Sequence, residues 1–401
     1  MSTLANQALP RLRVALVLDH FDPTIGGLEA WTCRFAHALH EHGHQVTIVA
    51  SDFSDAGTPF KQHRFTSERS PRNRAQRVAS ALRSLDVDIV HDAGCGWAAD
   101  VLHPHAGSQV LSLDRNLASL PWRKRTRLLL SPAMRRWRAD LTATERLQMA
   151  NATRVVAVSE SVRQDLAHRY GIEPYRIAVV PNGIDTNRFV PDSRDVQRAE
   201  ARRSLRVEDE VVFLSVATNF NLKGVDVTLA ALGRLVRERT KVKLIVAGRG
   251  PVEEYRRRAA QLGVASAVSF LGHVDDVPRL HAAADVYVHP TFHDACSLAT
   301  LEAMASGLPV ITTRCNGAAD GMSSGREGYV LDRAGDVAAL AQAMRALLDP
   351  RRRKDCGTAA AALGRGRSFE RNCLAMLAVY GEVLRARGSR PRPYDPADRP
   401  S

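Results

Sequence analysis

The sequence predicts an α/β protein made of two halves, each a parallel β-sheet covered by helices. Short apolar, β-branched runs alternate with helix-length segments along most of the chain, which is the pattern of parallel sheets buried on both faces. The chain has 401 residues, too many for one ordinary hydrophobic core. A turn-rich break at Pro181–Asp185 separates two similar series of strands and helices.

Composition narrows the class of protein. The chain is 45% apolar and 25% charged, as in soluble globular proteins, and its net charge of +13 predicts an anionic partner: a membrane surface, a nucleic acid or a phosphorylated substrate. The six cysteines form no Cys-x-x-Cys pair, so we expect reduced thiols of a cytosolic protein and no zinc site. No apolar run is long enough for a signal peptide or a membrane span.

The chain opens on a β-α-β unit with glycines at its first turn. Strand Arg13–Leu18 leads into a loop that ends in Gly26-Gly27, and helix Leu28–His42 and strand Gln45–Ala50 follow. The pair is not the Gly-x-Gly-x-x-Gly fingerprint, so NAD is not indicated. Two glycines allow a phosphate or sugar to approach the backbone, and a plain tight turn is the alternative.

Histidines follow the next two strands of the first half. Strand Asp88–His91 continues into Asp92, and strand Asp100–Leu102 runs into a His-Pro-His segment that ends at His105. The carboxyl ends of parallel strands line the crevice in which α/β proteins bind ligands. His105 is the best candidate because Gly107 opens a loop two residues later, although a structural role is the alternative for each of these side chains.

A strongly basic segment, residues 111–146, interrupts the first half. Arginine and lysine far outnumber acids in it, and Trp122, Trp137 and leucines are interleaved with them. This mixture is typical of an interfacial segment that faces anionic lipid. A solvated helix face and an RNA-binding patch are the alternatives, but the stacking aromatics of a known RNA-binding module are absent, which favours lipid or an anionic glycolipid over nucleic acid.

The second half repeats the alternation of strands and helices. Its predicted elements, in order, are strand Val211–Ala217, helix Val225–Glu238, strand Val242–Ala247, helix Val252–Leu262, strand Val268–Leu271 and helix Val277–Ala284. Helices follow near Asp336–Leu348, Arg351–Leu363 and Phe369–Arg387. The proline- and charge-rich residues 388–401 predict a disordered tail, and residues 1–10 a loose leader.

Two acids flank a predicted helix start between strands Val286–His289 and Leu308–Thr312. Asp294 lies in the loop after the first strand, and Glu302 lies one turn inside the helix Ser297–Ser306. A helix N-terminus that faces the carboxyl end of a parallel strand offers free N–H groups and a positive dipole to an anion. The alternative is a βαβ turn with two solvated acids.

Lys223-Gly224 decides between these interpretations. The lysine follows a strand in the loop that opens a helix, where its charge suits a diphosphate, and Asn219 and Asn221 could add polar contacts. With the glycine pair and the helix that carries Glu302, it should face one interdomain cleft that binds a nucleotide-sugar. No His-x-x-x-His or Asp-x-Asp spacing occurs within these motifs, so these groups would replace Mg²⁺ in neutralising the diphosphate.

On these residues the sequence resembles the family 4 glycosyltransferases of the GT-B fold. The resemblance runs from Gly26-Gly27 through Val180–Asp185 (VPNGID) and Lys223–Asp226 (KGVD) to the Asp294-x7-Glu302 block, and it covers nearly the whole chain. Residues 217–235 and 284–313 are most similar to the lipopolysaccharide core glucosyltransferases that act on inner-core heptose.

The resemblance implies two Rossmann-like domains facing a cleft, with a C-terminal helix crossing back to the first. The implied ranges are an N-terminal acceptor domain at 1–184 with the basic insert at about 111–146, a nucleotide-sugar domain at 185–367, a crossover helix at 368–387 and the tail at 388–401.

Site residues are implied by the same resemblance. Glu302 matches the acid that binds the ribose hydroxyls, and Asp294 matches the acid that holds the transferred sugar, where the family has the longer glutamate. Thr218-Asn219-Phe220 stands where many members place an arginine, so Lys223 should carry more of the diphosphate charge. The remaining implied contacts are Gly26 and Gly27 at the diphosphate, Leu298 and Ala299 amides at a phosphate, the backbone at Val274 at the base, and His105 at the donor sugar or acceptor.

The expected function is therefore a retaining, metal-independent hexosyltransferase without a cofactor. It would move glucose from UDP-glucose to a glycolipid acceptor such as lipopolysaccharide inner-core heptose, as a peripheral protein on the cytoplasmic face of the plasma membrane that binds no nucleic acid. The alternatives are transfer to another lipid-linked or soluble acceptor, such as a sugar phosphate, and a non-catalytic lipid- or nucleotide-binding homologue. A sugar-nucleotide epimerase is disfavoured by the Pro-Asn-Gly and Lys-Gly motifs.

Overall fold

The computed structural model of the chain describes residues 9–54 and 58–388. The predicted tail beyond Gly388 and most of the predicted leader lie outside these residues. The chain folds into two compact units: unit 1 comprises Met1–Leu113, Pro121–Pro181 and Asn372–Ser401, and unit 2 comprises Asp114–Leu120 and Asn182–Arg371. No helix in the described ranges combines the length and apolar character that a membrane crossing requires.

Among its described residues, unit 1 contains nine strands, five whole helices and parts of two more, α3 (Gln109–Ser119) and the last helix of the chain. The strands are β1 (Arg13–Val17), β2 (His20–Phe21), β3 (Gln45–Ala50), β4 (Asp52–Phe53), β5 (Lys61–Arg64), β6 (Ile89–Asp92), β7 (Val101–Leu102), β8 (Arg154–Ala157) and β9 (Ile177–Val179). The helices are α1 (Gly27–Glu41), α2 (Pro71–Leu82), α3 (Gln109–Ser119), α4 (Trp122–Leu130), α5 (Pro132–Asn151) and α6 (Glu160–Tyr170), and the second half of α3 is grouped with unit 2.

Unit 2 continues the alternation. Its strands are β10 (Val211–Val216), β11 (Val242–Ala247), β12 (Val268–Gly272), β13 (Val286–His289), β14 (Val310–Thr313) and β15 (Gly328–Leu331). Its helices are α7 (Pro191–Ser204), α8 (Val225–Arg237), α9 (Val252–Gln261), α10 (Val277–Ala283), α11 (Leu298–Ala305), α12 (Val337–Ala346) and α13 (Pro350–Arg365), and α14 (Phe369–Arg387) begins in this unit and ends in unit 1.

Each unit is built on one parallel sheet. The order in unit 1 is β5-β3-β1-β6-β7-β8-β9, and the order in unit 2 is β12-β11-β10-β13-β14-β15. Every pairing in these two sheets is parallel, so in each sheet all strands end at the same edge. The apolar strands are buried between helices, as the alternating sequence predicts.

Helix α14 packs on unit 1, as predicted for a helix that crosses back. The Asn372 side chain accepts a hydrogen bond from the Trp31 indole at 2.8 Å, and the Tyr380 hydroxyl lies 2.8 Å from Nδ1 of His91. At the end of the helix the Arg387 guanidinium donates to the carbonyl of Asp88 at 2.6 Å. These contacts anchor the chain's last described helix to the first sheet.

The structure also contains elements that the sequence analysis did not predict, among them α2, β5, α7 and β15. Helix α7 shows why: its sequence PDSRDVQRAEARRS buries only Ala201 and has no apolar stripe. Arginines hold it instead, because Arg198 and Arg202 donate to carbonyl oxygens at the end of α10 and both pair with the Asp285 carboxylate. Tertiary hydrogen bonds therefore stabilise a helix that the hydrophobic pattern does not reveal.

Candidate active site

The loop that carries Lys223 is held against the loop that follows β13. The Phe292 amide donates to the Leu222 carbonyl at 2.8 Å, and the Thr291 hydroxyl donates to the same oxygen at 3.0 Å. Gly224 caps α8 with φ +70°, and a Cβ there would collide with the carbonyl oxygen of Pro290. Only glycine fits this position without strain, so the Lys-Gly pair fixes where the lysine emerges.

Lys223, Asp294 and His289 meet at a single carboxylate oxygen. The Lys223 ammonium donates to Asp294 Oδ2 at 2.5 Å, and His289 Nε2 lies 3.1 Å from the same atom. The ammonium also donates to the His293 carbonyl at 3.3 Å. The side chain of His289 is only 2% exposed, whereas those of Lys223 and Asp294 are 16% and 17% exposed. The ion pair therefore keeps limited access to solvent, while the imidazole lies behind it.

The charge state of this group follows from its surroundings. Burial alone would raise the pKa of Asp294, but the Lys223 charge and the hydrogen bond from His289 outweigh it and hold the pKa well below its usual range. Burial lowers the pKa of His289 despite the neighbouring carboxylate. At neutral pH the group is thus a lysine cation, an aspartate anion and a neutral imidazole.

Helix α11 begins beside Asp294 and presents unpaired amides. The Ser297 hydroxyl caps it by accepting from the Thr300 amide at 3.2 Å. The amides of Leu298 and Ala299 have no hydrogen-bond acceptor within the described ranges, as is normal for the first residues of a helix, and both residues are half-buried. With the positive end of the helix dipole, these two amides are the type of donor that anions bind at helix N-termini.

Asn316 connects the start of α11 to β14, and sequence reasoning missed it. Its side chain is 1% exposed; Oδ1 accepts from the amides of Ser297 at 3.3 Å and Ala318 at 3.1 Å, and Nδ2 donates to the hydroxyls of Thr300 at 3.1 Å and Thr312 at 3.0 Å. Its place three residues after β14 was its only signal in the sequence. Asn316 therefore fixes the helix start relative to the sheet.

Glu302 lies one turn inside α11, as predicted, and is half-buried. Its charge is close enough to the buried Tyr287 hydroxyl to act on it: burial, and then the charges of Asp294 and Glu302, raise the pKa of Tyr287 well above its usual range. The charges of both acids of the motif thus act on the pKa of one phenol. The structure brings Lys223, Asp294, Leu298, Ala299 and Glu302 together within unit 2.

Three other predicted contacts of unit 2 have different settings. Val274 follows the edge strand β12 at the same end of the sheet and is half-buried. Asn219 braces its own loop, since its Oδ1 accepts from the Leu222 amide at 3.2 Å and its Nδ2 donates to Asn116 at 3.1 Å. Asn221 accepts from the Tyr255 hydroxyl at 2.9 Å. Both asparagines therefore have structural partners.

Gly26, Gly27 and His105 belong to unit 1. Gly26 is the extended residue before α1, and both glycines are exposed. A Cβ on Gly26 would meet only the Glu29 carboxylate, at 3.0 Å, so internal packing does not demand glycine at this position.

His105 lies in an aromatic cluster that sequence reasoning found only in part. Its ring stacks on His103 at 3.8 Å and lies 4.6 Å from the Trp31 ring. His103 Nδ1 lies 3.2 Å from His91 Nε2, while the Nε2 atoms of His103 and His105 are buried without a partner in the described chain. Burial lowers the pKa of all three histidines, so the cluster is neutral. The contribution of Trp31 from α1 carried no sequence signal.

Two all-parallel α/β units of this kind define the class of two-domain, Rossmann-like proteins. Comparisons with known proteins assign the family. Residues 25–188 match the family model described as Glycosyltransferase Family 4, and residues 208–350 match Glycosyl transferases group 1. The chain belongs to this glycosyltransferase family, as predicted from its motifs, and is a glycosyltransferase.

Curated relatives act on different substrates according to their names. D-inositol 3-phosphate glycosyltransferase of Geodermatophilus obscurus is 30% identical over 421 aligned positions, covering 93% of this chain and 90% of the relative. Lipopolysaccharide glucosyltransferase WaaG of Escherichia coli is 26% identical, covering 79% and 84%. A GDP-mannose-dependent phosphatidylinositol monomannoside mannosyltransferase of Mycolicibacterium smegmatis is 28% identical, covering 86% and 91%.

Solved structures confirm the predicted GT-B fold. The crystal structure of WaaG, a glycosyltransferase involved in lipopolysaccharide biosynthesis, superposes with a TM-score of 0.72 at 22% identity and covers 91% of this chain and 98% of WaaG. Anabaena Alr3699/HepE in complex with UDP-glucose superposes with a TM-score of 0.66 at 18% identity, covering 94% of this chain and all of HepE.

Proposed function

We propose that this glycosyltransferase moves glucose from UDP-glucose to a lipid-linked saccharide such as the inner-core heptose of lipopolysaccharide, with retention and without a metal ion or cofactor. The observation that carries the proposal is the Lys223–Asp294 ion pair beside the unpaired amides of α11. Together they offer a cation, an anion and two N–H donors at the carboxyl ends of neighbouring strands, where a sugar and its diphosphate leaving group could both be held.

The donor would bind along this edge of the sheet. Lys223 and the amides of Leu298 and Ala299 would bind the diphosphate, Glu302 the ribose hydroxyls, and the backbone at Val274 the base. Gly26 and Gly27 would let the diphosphate approach the backbone of unit 1. The GT-B fold accommodates UDP-glucose in HepE, and the relative WaaG is named as a glucosyltransferase.

Asp294 would hold hydroxyls of the transferred glucose, and His105 would contact the sugar or the acceptor. In the transfer, the bond between the anomeric carbon and the diphosphate oxygen breaks as the acceptor oxygen bonds to the same face of that carbon. The bonding electrons leave with the diphosphate, which takes up the acceptor proton. Lys223 and the helix amides stabilise the charge that develops on the leaving oxygen.

The lipid-linked acceptor is supported by the basic segment, residues 111–146, which forms most of α3, all of α4 and most of α5. Helix α4 (WRKRTRLLL) buries no residue, and Trp122 is 71% and Leu130 63% exposed. Basic side chains with exposed tryptophan and leucine fit the interface of an anionic membrane. We therefore propose that this surface holds the enzyme on the cytoplasmic face of the plasma membrane.

A second candidate is transfer to a soluble sugar phosphate. The relative named D-inositol 3-phosphate glycosyltransferase favours it, because it is 30% identical over 93% of this chain. The two candidates share the donor site and differ only in the acceptor.

A donor and acceptor screen with purified protein tests the proposal. UDP-glucose, GDP-mannose and other nucleotide-sugars are each offered with a heptose-containing lipid and with inositol phosphate, and product anomers are assigned by NMR. We expect turnover with UDP-glucose and the lipid, retention of configuration, and a loss of at least about tenfold in Glu302→Ala that the exposed Glu254→Ala control does not show. Turnover only with inositol phosphate would support the second candidate, and inactivity with every donor would refute both.

Liposome flotation tests the membrane surface. We expect binding to vesicles that contain anionic lipid, weakening as salt is added. The variant Arg123→Glu/Arg127→Glu should lose this binding, whereas the exposed pair Arg256→Glu/Arg257→Glu in α9, with the same change of charge, should retain it. Equal loss in both variants would show that net charge, and not this surface, drives binding.

A further inference from the structure

His289 lies behind the proposed donor site, and no role follows for it from the motifs. It ends β13, and its carbonyl oxygen accepts a hydrogen bond from the Thr312 hydroxyl at 2.8 Å. Its ring stacks on that of Tyr287, with centroids 6.0 Å apart and planes inclined by 21°. The imidazole has therefore little freedom to turn, and among the described residues its side chain hydrogen-bonds only to Asp294.

The hydrogen bonds of the ring define its tautomer. Nε2 lies 3.1 Å from Oδ2 of the ionised Asp294, so Nε2 carries the proton and donates it. Nδ1 is buried and has no partner in the described part of the chain. A second proton there would be a buried, unpaired donor on a charged ring, which is costly. The imidazole is thus a neutral donor.

The two oxygens of Asp294 consequently differ. Oδ2 receives both the Lys223 ammonium and the His289 imidazole, at 2.5 and 3.1 Å. Oδ1 accepts no hydrogen bond from any of the described residues. The main chain is fixed as well, since the Asp294 amide donates to the Cys315 carbonyl at 2.9 Å and the Asp294 carbonyl accepts from the Gly317 amide at 2.8 Å. One oxygen is saturated by protein and the other is left free.

We propose that His289 is a positioning residue that, with Lys223, locks Oδ2 of Asp294 and so presents Oδ1 to a hydroxyl of the donor sugar. The inference rests on the proposed function of this site. An aspartate has two rotatable side-chain bonds, and Lys223 alone is a flexible point charge that does not select one carboxylate orientation. The rigid imidazole supplies the direction that the lysine lacks.

Two substitutions of His289 separate this role from a purely structural one. His289→Leu removes the donor and keeps an apolar side chain, whereas His289→Gln retains an N–H donor at about the position of Nε2. His281→Leu is the matched control, because His281 is also buried and neutral but its Nδ1 contacts only Ser306, at 3.0 Å. Each variant is measured for kcat and KM with UDP-glucose, for the Kd of UDP and of UDP-glucose, and for thermal unfolding.

The expected result is a loss in the sugar-dependent steps alone. In His289→Leu, kcat should fall by about tenfold or more, the size of a lost hydrogen bond to a charged group. UDP should bind within about twofold of the wild-type Kd, because the proposed diphosphate and ribose contacts are intact, so the affinity of UDP-glucose relative to UDP should fall. His289→Gln should recover most of the activity, and His281→Leu should retain it.

Other outcomes overturn the inference in distinguishable ways. If His289→Leu keeps wild-type kcat and the wild-type ratio of UDP-glucose to UDP affinity, His289 does not position Asp294 although the proposed function stands. If His289→Leu and His281→Leu lose activity and thermal stability equally, the role is structural. A wild-type protein that neither binds nor turns over UDP-glucose refutes the proposed function and this role with it.

Discussion

Replacing Asn316 with alanine should destabilise unit 2 severely for a single side-chain truncation. The substitution removes four hydrogen bonds from a residue that is 1% exposed. Two of the lost partners are the buried amides of Ser297 and Ala318, and each unsatisfied buried donor costs about 1–3 kcal/mol. The hydroxyls of Thr300 and Thr312 can turn to other acceptors, so we count only the amides. The expected loss is about 2–6 kcal/mol of unfolding free energy.

The assay is urea unfolding followed by circular dichroism, with hydrogen exchange of peptides from α11 and β14 to locate the effect. Asn151→Ala is the control, since Asn151 makes one side-chain hydrogen bond, to the Trp97 carbonyl at 3.0 Å, and should cost about 1 kcal/mol. Asn316→Asp keeps the Oδ1 acceptor and should protect the α11 amides better than alanine does. Asn316→Ala that unfolds within about 0.5 kcal/mol of the wild type would refute the reasoning.

Four further predictions concern the same two units. Gly224→Ala should destabilise the protein by more than about 1–2 kcal/mol, because both φ +70° and the Pro290 carbonyl oppose a Cβ. The control is Gly43→Ala, which also has a positive φ but whose Cβ would meet nothing. The difference between the two variants in urea unfolding measures the part due to the collision. Burial lowers the pKa of His91 from 6.5 to about 3, so the stability that neutral His91 contributes is present above pH 6.5 and is lost as the pH falls below it, by about 2 kcal/mol at pH 5. Unfolding followed by tryptophan fluorescence at several pH values measures this loss. In His91→Gln the slope of unfolding free energy against pH should decrease by about one proton. Transfer should survive EDTA, and restoration of lost activity by Mg²⁺ would contradict the metal-independent proposal. Lys223→Met should weaken UDP binding more than the Lys223→Met/Asp294→Asn pair does, because the single variant leaves an uncompensated carboxylate beside the phosphate; additive effects in titration calorimetry would contradict this.

Five of the six strands described in unit 2, and most of its helices, were predictable because their residues carry the pattern locally. Val242–Ala247 and Val286–His289 are mainly apolar runs, each preceded by a charged residue and followed by glycine or proline, and the structure has them with the predicted bounds. The predicted helix Ser297–Ser306 includes the cap residues on both sides of α11. Lys223-Gly224 predicted a junction between a loop and a helix, and the positive φ of Gly224 explains why glycine is needed there. An element is therefore predictable when the residues that form it also carry the pattern that identifies it.

Contacts between distant segments could not be predicted in the same way. The cluster around His105 includes Trp31 from α1 and Tyr380 from α14, which are far from it in sequence. Asn316 is one polar residue after a strand, and nothing nearby in sequence shows that its partners include Ser297, 19 positions earlier. Helix α7 has almost no apolar stripe to detect. These features depend on three-dimensional proximity and not on periodicity.

The ion pair with Lys223 explains why position 294 suits an aspartate better than the longer glutamate. Lys223 and Asp294 neutralise each other and His289 is neutral, so the three side chains add no net charge to attract a diphosphate. In the proposed function, the attraction comes from the α11 amides and from sharing of the lysine once the donor is bound. A glutamate, longer by one methylene, would have to fold back to reach the same lysine and imidazole. Aspartate fits between them, and in the proposed function it leaves Oδ1 for a hydroxyl of the transferred sugar.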